Sequence, residues 1–351
     1  MIVVLVMAAT LWGIGAIMGT PKQARWTMIG LLLVCVLAIQ IALPDGHPLR
    51  EGTGSSPALW LLLLAFGGLV YLYRGWLRSV RSRANQTETL PDPRVPAPVP
   101  EGPFSDLELQ RYARHITLRE IGGPGQLSLK KARVLMIGAG GLGSPALQYL
   151  AATGVGQIGI VDDDIVENTN LQRQTIHRDA SIGTPKVFSA ADTMAAQNPF
   201  ISVRPYNRRL TEEIAADLFD DYDLILDGTD DFETRELANR VAVAQGKPLI
   251  GAALTQWEGQ ISVYDPANGA PCYACVFPER PDPALVPTCA EAGVLSPLPG
   301  VLGTMMAVEA IKILTGAGKP LRGQMLLYDA LWGETRTIAV KRRPDCPVCG
   351  G

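Results

Sequence analysis

The chain has 351 residues, which is enough for two or three domains. Its net charge of -3 offers no basic surface for nucleic acid, so no nucleic-acid partner is expected, and its 47% hydrophobic content excludes a disordered or fibrous chain. Residues 1–90 carry seven basic and three acidic residues, a net of +4, which leaves 24 basic and 31 acidic residues, a net of -7, in residues 91–351. The sequence therefore joins two physically different parts.

Three stretches near the amino terminus contain no charged residue: 1–19, 27–43 and 57–73. At about 1.5 Å per residue, helices of these lengths reach roughly 25 to 29 Å, close to the hydrocarbon thickness of a bilayer. We therefore predict three transmembrane helices within residues 1–73. A cleaved signal peptide is the alternative, but it needs a basic amino-terminal region, and no Lys or Arg precedes Lys22.

Basic residues flank these stretches unevenly. Lys22 and Arg25 follow the first, Arg50 alone follows the second, and four arginines within residues 74–83 follow the third. Because short cytoplasmic loops carry an excess of Lys and Arg, we predict a multi-pass membrane protein whose residues beyond the third span lie in the cytoplasm. Cys35 lies within the second stretch, where a thiol acts as a small apolar side chain.

The remaining sequence predicts a linker, residues 74–103, that is basic and then rich in proline, followed by one domain in residues 104–351. Ser105 and Glu108 have the spacing of a capping box and predict a helix that continues through Ile116. Apolar runs then alternate with helical stretches, which is typical of an α/β fold with a Rossmann-like, mostly parallel sheet. The predicted strands are residues 133–137, 157–161, 201–206, 224–227, 248–252, 259–264, 324–328 and 335–340, and an apolar helix is predicted at 301–314.

A glycine-rich loop follows the first predicted strand. Gly138, Gly140, Gly141 and Gly143 lie between that strand and its helix, and Asp162 lies 19 residues beyond Gly143 at the end of the next strand. Glycines let the backbone approach a phosphate, the helix amino terminus faces its charge, and the acid can bind ribose hydroxyls. The loop predicts a nucleotide site, although a tight turn that only packs the helix on the strand would use the same glycines.

Polar residues downstream discriminate between nucleotide chemistries. Asn170, Arg173, Lys186 and Asp230 follow the glycine loop in that order. Hydride transfer needs none of them, whereas two cations and a carboxylate able to hold Mg²⁺ suit phosphoryl or nucleotidyl transfer. Each has a simpler interpretation as a solvent-facing cation or a helix cap, so the prediction rests on the whole set.

Four of the six cysteines form two Cys-x-x-Cys pairs. Cys272 and Cys275 are separated from Cys346 and Cys349 by 70 intervening residues. Four thiolates suit a closed tetrahedral Zn²⁺ site, which has no open coordination position and is therefore structural. A redox-active pair is the alternative. The three histidines show no metal-ligand spacing.

In this order, the motifs resemble the ubiquitin-activating-like adenylyltransferases. Within that family the chain is most similar to the molybdopterin-synthase adenylyltransferase branch, followed by the thiamine-pathway sulphur-carrier branch. The resemblance covers about residues 104–351, and the three predicted spans are not part of the usual family pattern. The segments that carry it are RYAR at 111–114, the glycine loop, NLQRQ at 170–174, PK at 185–186, LDGTD at 226–230 and TCAEAG at 288–293.

The resemblance implies ATP and Mg²⁺ as ligands, and it also implies the zinc site. Asp162 would bind the ribose, Asp230 would hold Mg²⁺, and Arg114 would reach the ATP of a neighbouring subunit, so a homodimer is implied. The other residues that the resemblance assigns to the nucleotide are Gly138, Gly140, Gly141, Gly143, Asn170, Arg173 and Lys186.

The implied reaction joins the carboxyl-terminal glycine of a small ubiquitin-like sulphur carrier to AMP and releases pyrophosphate. No enzyme base is needed, because the attacking carboxylate is ionised at pH 7. Cys289 matches a mobile-loop cysteine that in some relatives bonds to the carrier or its sulphur, although a lone cysteine is more often inert. No sulphur-transfer segment follows Gly351, so a separate sulphur donor protein is expected.

Two other classes of protein fit parts of the sequence. An NAD-dependent oxidoreductase is supported by the glycine loop and Asp162 alone. A non-catalytic membrane scaffold would have no use for the whole set of charged residues. The sequence therefore favours a membrane-anchored adenylyltransferase, and it leaves open whether the carrier serves molybdopterin or thiamine synthesis.

Overall fold

The chain divides into two compact units, Met1–Pro91 and Asp92–Gly351. The computed structural model describes residues 2–54, part of 56–76, 103–280 and 292–350. Most of the predicted linker, residues 74–103, lies outside the described residues. Within the first unit, Val4, Val36 and Trp60 form a small buried cluster. Its described helices are α1 (Ile2–Ile17), α2 (Lys22–Ala42) and α3 (Pro48–Thr53).

The prediction of three membrane spans is not confirmed. Among the described residues, two helices are long and apolar enough to cross a membrane, Gln23–Ala42 and Pro297–Thr315. The first corresponds to the second predicted span, and it shares its length and position with helices of signal sequences. The second is 44% buried and is a core helix of the other unit. Helix α1 has only 16 residues, and residues 57–73 lie partly outside the described residues.

The second unit is built on an eight-stranded sheet in the order β3-β2-β1-β4-β5-β6-β7-β8. The first five strands in this order are parallel, and the last three add antiparallel partners. The prediction of a Rossmann-like, mostly parallel sheet is therefore confirmed. The strands are β1 (Arg133–Ile137), β2 (Gln157–Asp162), β3 (Ser202–Asn207), β4 (Leu224–Asp227), β5 (Leu249–Thr255), β6 (Glu258–Tyr264), β7 (Gln324–Asp329) and β8 (Glu334–Ala339).

Helices cover both faces of the sheet. Along β1, Val134 and Met136 belong to one buried cluster, and Leu135 and Ile137 belong to the other. This alternation follows from the two-residue period of a strand, and a strand buried on both faces is apolar throughout. The helices of this unit are α4 (Asp106–Ile116), α5 (Gly122–Lys131), α6 (Gly143–Thr153), α7 (Lys186–Gln197), α8 (Glu212–Asp220), α9 (Phe232–Ala244), α10 (Tyr273–Val276) and α11 (Pro297–Thr315).

The amino-terminal helix α4 is fixed to the unit by polar contacts as well as by packing. The predicted capping box is present, because Glu108 accepts from the backbone N–H of Ser105 at 2.8 Å and donates its own N–H to the Ser105 hydroxyl. Burial opposes ionisation of Glu108, but the hydrogen bond from Lys130 on α5, at 2.6 Å, holds the pKa of this carboxyl below its usual value. Tyr112 is buried, and its hydroxyl accepts from Asn198. These contacts set the direction of the opposite, exposed face of α4.

Candidate functional site

The candidate site lies at the carboxyl ends of β1 and β4, where the strand order reverses. Strand β1 pairs with β2 on one side and with β4 on the other. Open α/β sheets bind ligands at such a switch point. The loops that follow the two strands meet there, since a Cβ placed on Gly138 would lie 3.4 Å from the carbonyl oxygen of Gly228.

The turn between β1 and α6 depends on two glycines. Gly138 has a φ of +90°, in the left-handed region that glycine alone enters freely. A Cβ at Gly143 would collide with the carbonyl oxygen of Gly138, so only glycine permits the helix to begin so close to the strand. The predicted tight turn is therefore present.

Three successive backbone N–H groups of this loop have no partner within the described part of the chain. Those of Gly140, Gly141 and Leu142 donate to no protein atom, whereas the N–H of Ala139 donates to Asp162. They stand directly before α6, an 11-residue helix whose amino terminus carries partial positive charge. Such a set of N–H groups can bind an anion, and a phosphate fits this chemistry.

Asp162 ends β2 and borders the glycine loop. One carboxylate oxygen accepts from the N–H of Ala139 at 2.7 Å, and the other accepts from the N–H of Asp164 at 2.8 Å. Burial raises the pKa of Asp162 above its usual value, against the effect of these hydrogen bonds and of Lys186. The carboxylate is thus held beside the loop at the position where the sequence predicts a ribose contact.

Lys186 begins α7 and is 6% exposed. Its Nζ lies 2.6 Å from a carboxylate oxygen of Asp164, whose side chain is 67% exposed. A buried ammonium needs a charged partner, and here that partner is a surface carboxylate free to rotate toward solvent. Lys186 is therefore able to exchange Asp164 for another anion.

Arg173 and Asn170 lie on the segment between β2 and α7. The Cγ of Arg173 is 3.7 Å from a Cβ placed on Gly141, so this arginine borders the glycine loop. One of its guanidinium nitrogens donates to the carbonyl oxygen of Thr169. Asn170 accepts from the N–H of Glu167 and shapes the short 3₁₀ turn Asn168–Asn170.

Asp230 is exposed in the loop after β4, next to the glycine loop. Within the described residues its carboxylate has no hydrogen bond or ion pair, so its oxygens are available to a ligand. Its neighbours hold the loop: Asp227 accepts from Thr229, Asp231 caps α9, and the buried Arg235 donates to the carbonyl oxygens of Thr229 and Ala252.

For two other predicted residues, no contact with this arrangement is described. Arg114 is exposed on α4, and no described contact joins it to the glycine loop. Cys289 lies outside the described residues.

Sequence reasoning missed several side chains beside the loop, because nothing in their spacing marks them. His177 bonds to the carbonyl of Ala139, and Asp164 pairs with Lys186. Ser144 and Gln174 are buried, and the hydroxyl of the first and the carbonyl oxygen of the second have no partner among the described residues. Buried polar atoms are normally hydrogen-bonded, so these two mark room for a ligand or water.

A second cluster is formed by Cys272, Cys275, Cys346 and Cys349, all of them buried. Their sulphur atoms all lie within 4.8 Å of one another, with pairs at 3.8, 3.6 and 3.4 Å. Tetrahedral zinc, with Zn–S bonds of about 2.3 Å, spaces its sulphurs about 3.8 Å apart. A disulfide needs about 2.05 Å. The donor set therefore fits a closed four-sulphur metal site.

The thiols of this cluster differ in acidity. Burial raises the pKa of Cys272 and Cys275 above the usual range. Burial also opposes ionisation of Cys346, but hydrogen bonds from the backbone N–H groups of Cys349 and Val348 lower its pKa to about 6. A metal ion that binds the four sulphurs would displace the thiol protons.

The model of the ThiF family matches residues 112–348. The sulfur carrier protein adenylyltransferase of Thermus thermophilus is 48% identical over 247 residues, which cover 69% of this chain and 91% of that protein. The probable adenylyltransferase/sulfurtransferase MoeZ of Mycobacterium tuberculosis is 49% identical over 251 residues, or 71% of this chain and 64% of MoeZ.

Solved structures show the same fold. The structure of E. coli MccB with ATP superposes with a TM-score of 0.61 at 24% sequence identity. The superposition covers 69% of this chain and 75% of MccB. The family match covers the glycine loop and three of the four clustered cysteines, Cys272, Cys275 and Cys346. The chain therefore belongs to the ThiF family.

Proposed function

We propose that this chain is an adenylyltransferase that uses ATP to activate the carboxyl-terminal glycine of a ubiquitin-like sulphur-carrier protein. The observation that carries the proposal is the set of unpartnered N–H groups at residues 140–142, bordered by Asp162, Arg173 and Asp230. A carrier carboxylate oxygen attacks the α-phosphorus of ATP, the bond to the β-phosphate oxygen breaks, and pyrophosphate leaves. The product is a mixed anhydride of the carrier and AMP.

In this proposal the chain supplies position and charge. The glycine loop binds phosphate, Asp162 binds ribose hydroxyls, and Asp230 holds Mg²⁺, whose charge would help to neutralise the triphosphate. Arg173 and Lys186, with Asn170 beside them, stabilise the charge that builds on the leaving pyrophosphate. Lys186 leaves Asp164 to do so.

The names of the relatives favour nucleotidyl transfer over the NAD-dependent alternative. The Thermus relative is named for a sulphur carrier, and MoeZ for adenylyl and sulphur transfer. We take the small subunit of molybdopterin synthase as the first candidate carrier and the thiamine-pathway carrier as the second. Delivery of sulphur to the activated carrier is assigned to a separate donor protein.

A homodimer is part of the proposal. Arg114 is exposed on α4, and three large apolar side chains on or next to the same helix, Leu107, Leu109 and Leu118, are between 44% and 64% exposed. Exposed apolar groups of this kind suit burial by a second copy, with Arg114 reaching the partner's ATP.

Zinc and a membrane anchor complete the proposal. The four-cysteine geometry supports a structural zinc ion that ties residues 272–275 to residues 346–349.

Helix α2 has a mean hydropathy of 2.0 over Gln23–Ala42, and 11% of that segment is buried, which supports insertion in a bilayer. We propose that α2 anchors the chain in a membrane, with the catalytic unit in the cytoplasm.

The adenylation proposal predicts ATP–pyrophosphate exchange by the full-length protein. Exchange is measured with molybdopterin and thiamine sulphur carriers supplied one at a time. Asp230→Asn should lower the rate about 100-fold or more, because the charge that holds Mg²⁺ is lost. Asp217→Asn, an exposed carboxylate on α8, is the matched control and should exchange normally. Equal rates for the two variants would contradict the role of Asp230, and no exchange with any carrier would count against the reaction.

The dimer proposal predicts complementation between two inactive variants. Arg114→Ala and Asp230→Asn should each be inactive alone, whereas refolding or coexpressing them together should restore about a quarter of the wild-type exchange rate. Random pairing makes half of the dimers mixed, and each mixed dimer has one complete site of two. If Arg114 served its own subunit, mixing would restore nothing.

The zinc proposal predicts one zinc ion per chain by elemental analysis. Cys346→Ser should lose the metal and lower the melting temperature, because zinc-binding free energy contributes directly to folding. Cys35→Ser is the control, since this thiol lies in α2, away from the cluster in sequence. Wild-type protein without metal, or a Cys346→Ser variant that keeps it, would exclude the site.

The membrane proposal predicts that the full-length chain sediments with membranes and resists extraction by alkaline carbonate, but not by detergent. Leu33→Arg places a charge inside α2, which costs about 3 kcal/mol at the centre of a span, and should shift the chain toward the extractable fraction. Release of the wild-type chain by carbonate would contradict insertion.

A further inference from the structure

His177 is buried and uses both of its ring nitrogens. Its Nε2 lies 2.9 Å from the carbonyl oxygen of Ala139 in the glycine loop, and its Nδ1 lies 3.0 Å from the hydroxyl of Ser189 on α7. The side chain is 6% exposed. The imidazole therefore bridges α7 and the loop from the protein interior, and it has no exposed edge through which it could contact a ligand.

The two partners determine where the ring proton resides. A carbonyl oxygen only accepts, so Nε2 of His177 donates to Ala139, and Nδ1 accepts from the hydroxyl of Ser189 when the ring is neutral. Burial lowers the pKa of His177, the hydrogen bond to Ala139 opposes this effect, and the nearby charge of Lys186 adds to it, so that the net shift is downward. The neutral ring is thus the form present at pH 7.

The bond to Ala139 fixes a whole peptide group. The carbonyl of Ala139 and the N–H of Gly140 belong to one planar trans peptide, in which the two bonds point in opposite directions. By holding the carbonyl, His177 turns the N–H of Gly140 away from the interior. That N–H is the first of the three without a partner in the described residues.

The peptide group between Ala139 and Gly140 needs such a restraint of its own, although neighbouring groups are held: the N–H of Gly138 donates to Val161, and the carbonyl oxygen of Gly140 accepts from Ser144. Gly138 and Gly140 flank Ala139, and glycines allow rotations that side chains would forbid. The carboxylate of Asp162 accepts from the N–H of Ala139 at 2.7 Å and so holds the peptide group before Ala139. His177 holds the peptide group that follows Ala139. The two contacts together hold Ala139 at both of its backbone groups.

We propose that His177 is a positioning residue for the nucleotide, which orients the N–H of Gly140 toward a phosphate group without touching the ligand. This inference rests on the proposed function, since it takes the anion at the glycine loop to be a phosphate of ATP. It assigns His177 to binding and alignment of ATP, and not to the chemical step.

The test compares full-length wild-type protein with His177→Phe, His177→Gln and Thr193→Val in ATP–pyrophosphate exchange. His177→Phe keeps a flat ring without a donor and should raise the KM for ATP about tenfold, the scale of one misdirected hydrogen bond to a charged group, with a smaller change in kcat. His177→Gln should recover most of the loss, because its amide nitrogen can occupy the position of Nε2 and donate to Ala139.

Thr193→Val is the matched control. The Thr193 hydroxyl donates from α7 to the carbonyl oxygen of Ile176 at 2.9 Å, so this variant removes a contact between α7 and the segment that carries His177 without touching the glycine loop. It should leave the KM for ATP unchanged. If Thr193→Val raised the KM for ATP as much as His177→Phe does, His177 would be a general structural contact, and the proposal would be overturned.

The remaining outcomes are equally decisive. A wild-type KM in folded His177→Phe, or no recovery in His177→Gln, would overturn the positioning role alone. If His177→Phe does not fold, His177→Asn takes its place. The shorter amide of Asn reaches the position of Nδ1 but cannot reach the carbonyl oxygen of Ala139. Equal KM values for ATP in the Gln and Asn variants would then overturn the proposal. Absence of exchange in the wild-type protein would overturn the proposed function together with this inference.

Discussion

The close approach of Gly143 to the carbonyl oxygen of Gly138 is the constraint on which the rest of the site depends. Any side chain at Gly143 would displace α6 from β1 and would separate the N–H groups that precede the helix. Gly138 in turn meets Gly228 and Thr229 in the loop after β4, the loop that also carries Asp230. One steric requirement thereby aligns the helix, the anion-binding backbone and the carboxylate beside it.

Two of the charged groups around this turn have partners within the protein. Lys186 is buried against Asp164, and Asp162 binds two backbone N–H groups. A buried charge without a partner is costly, so the protein keeps the cation neutralised by a surface acid. Asp230, in contrast, has free oxygens within the described chain. The site thus combines one preformed anion cradle, one cation on an exchangeable partner and one available carboxylate.

The centre of the second unit could be predicted from the sequence, because its strands β1, β2 and β4 are buried and largely apolar. The strand at residues 133–137 was predicted with its observed bounds, and the capping box of Ser105 and Glu108 is present. The two cysteine pairs were predicted to lie together because both have the Cys-x-x-Cys spacing. These features are local, or they repeat a recognisable pattern.

The contacts that the sequence did not reveal join residues far apart in the chain. His177 meets Ala139 across 38 positions, and the pairing of Lys186 with Asp164 depends on how α7 turns back to β2. No periodicity encodes such contacts, because they follow from the packing of elements that are individually predictable. The prediction of three membrane spans overestimated the number of long apolar helices. A stretch without charged residues marks an apolar segment, but it does not determine the length of the helix that forms there. Helix α1, for example, has only 16 residues.

The four-cysteine cluster has a further consequence for the unfolded state of the protein. A zinc ion bound to all four cysteines, as proposed above, would link Cys275 to Cys346 and close a loop of about 70 residues. A crosslink of that size would lower the entropy of the unfolded chain by an amount equivalent to about 4 kcal/mol. The loop contains α11 and the antiparallel strands β7 and β8. Strand β8 is exposed at every residue and lies at the edge of the sheet. With zinc bound and the carboxyl-terminal side of β8 tethered, this edge would be less able to detach and pair with the edges of other molecules.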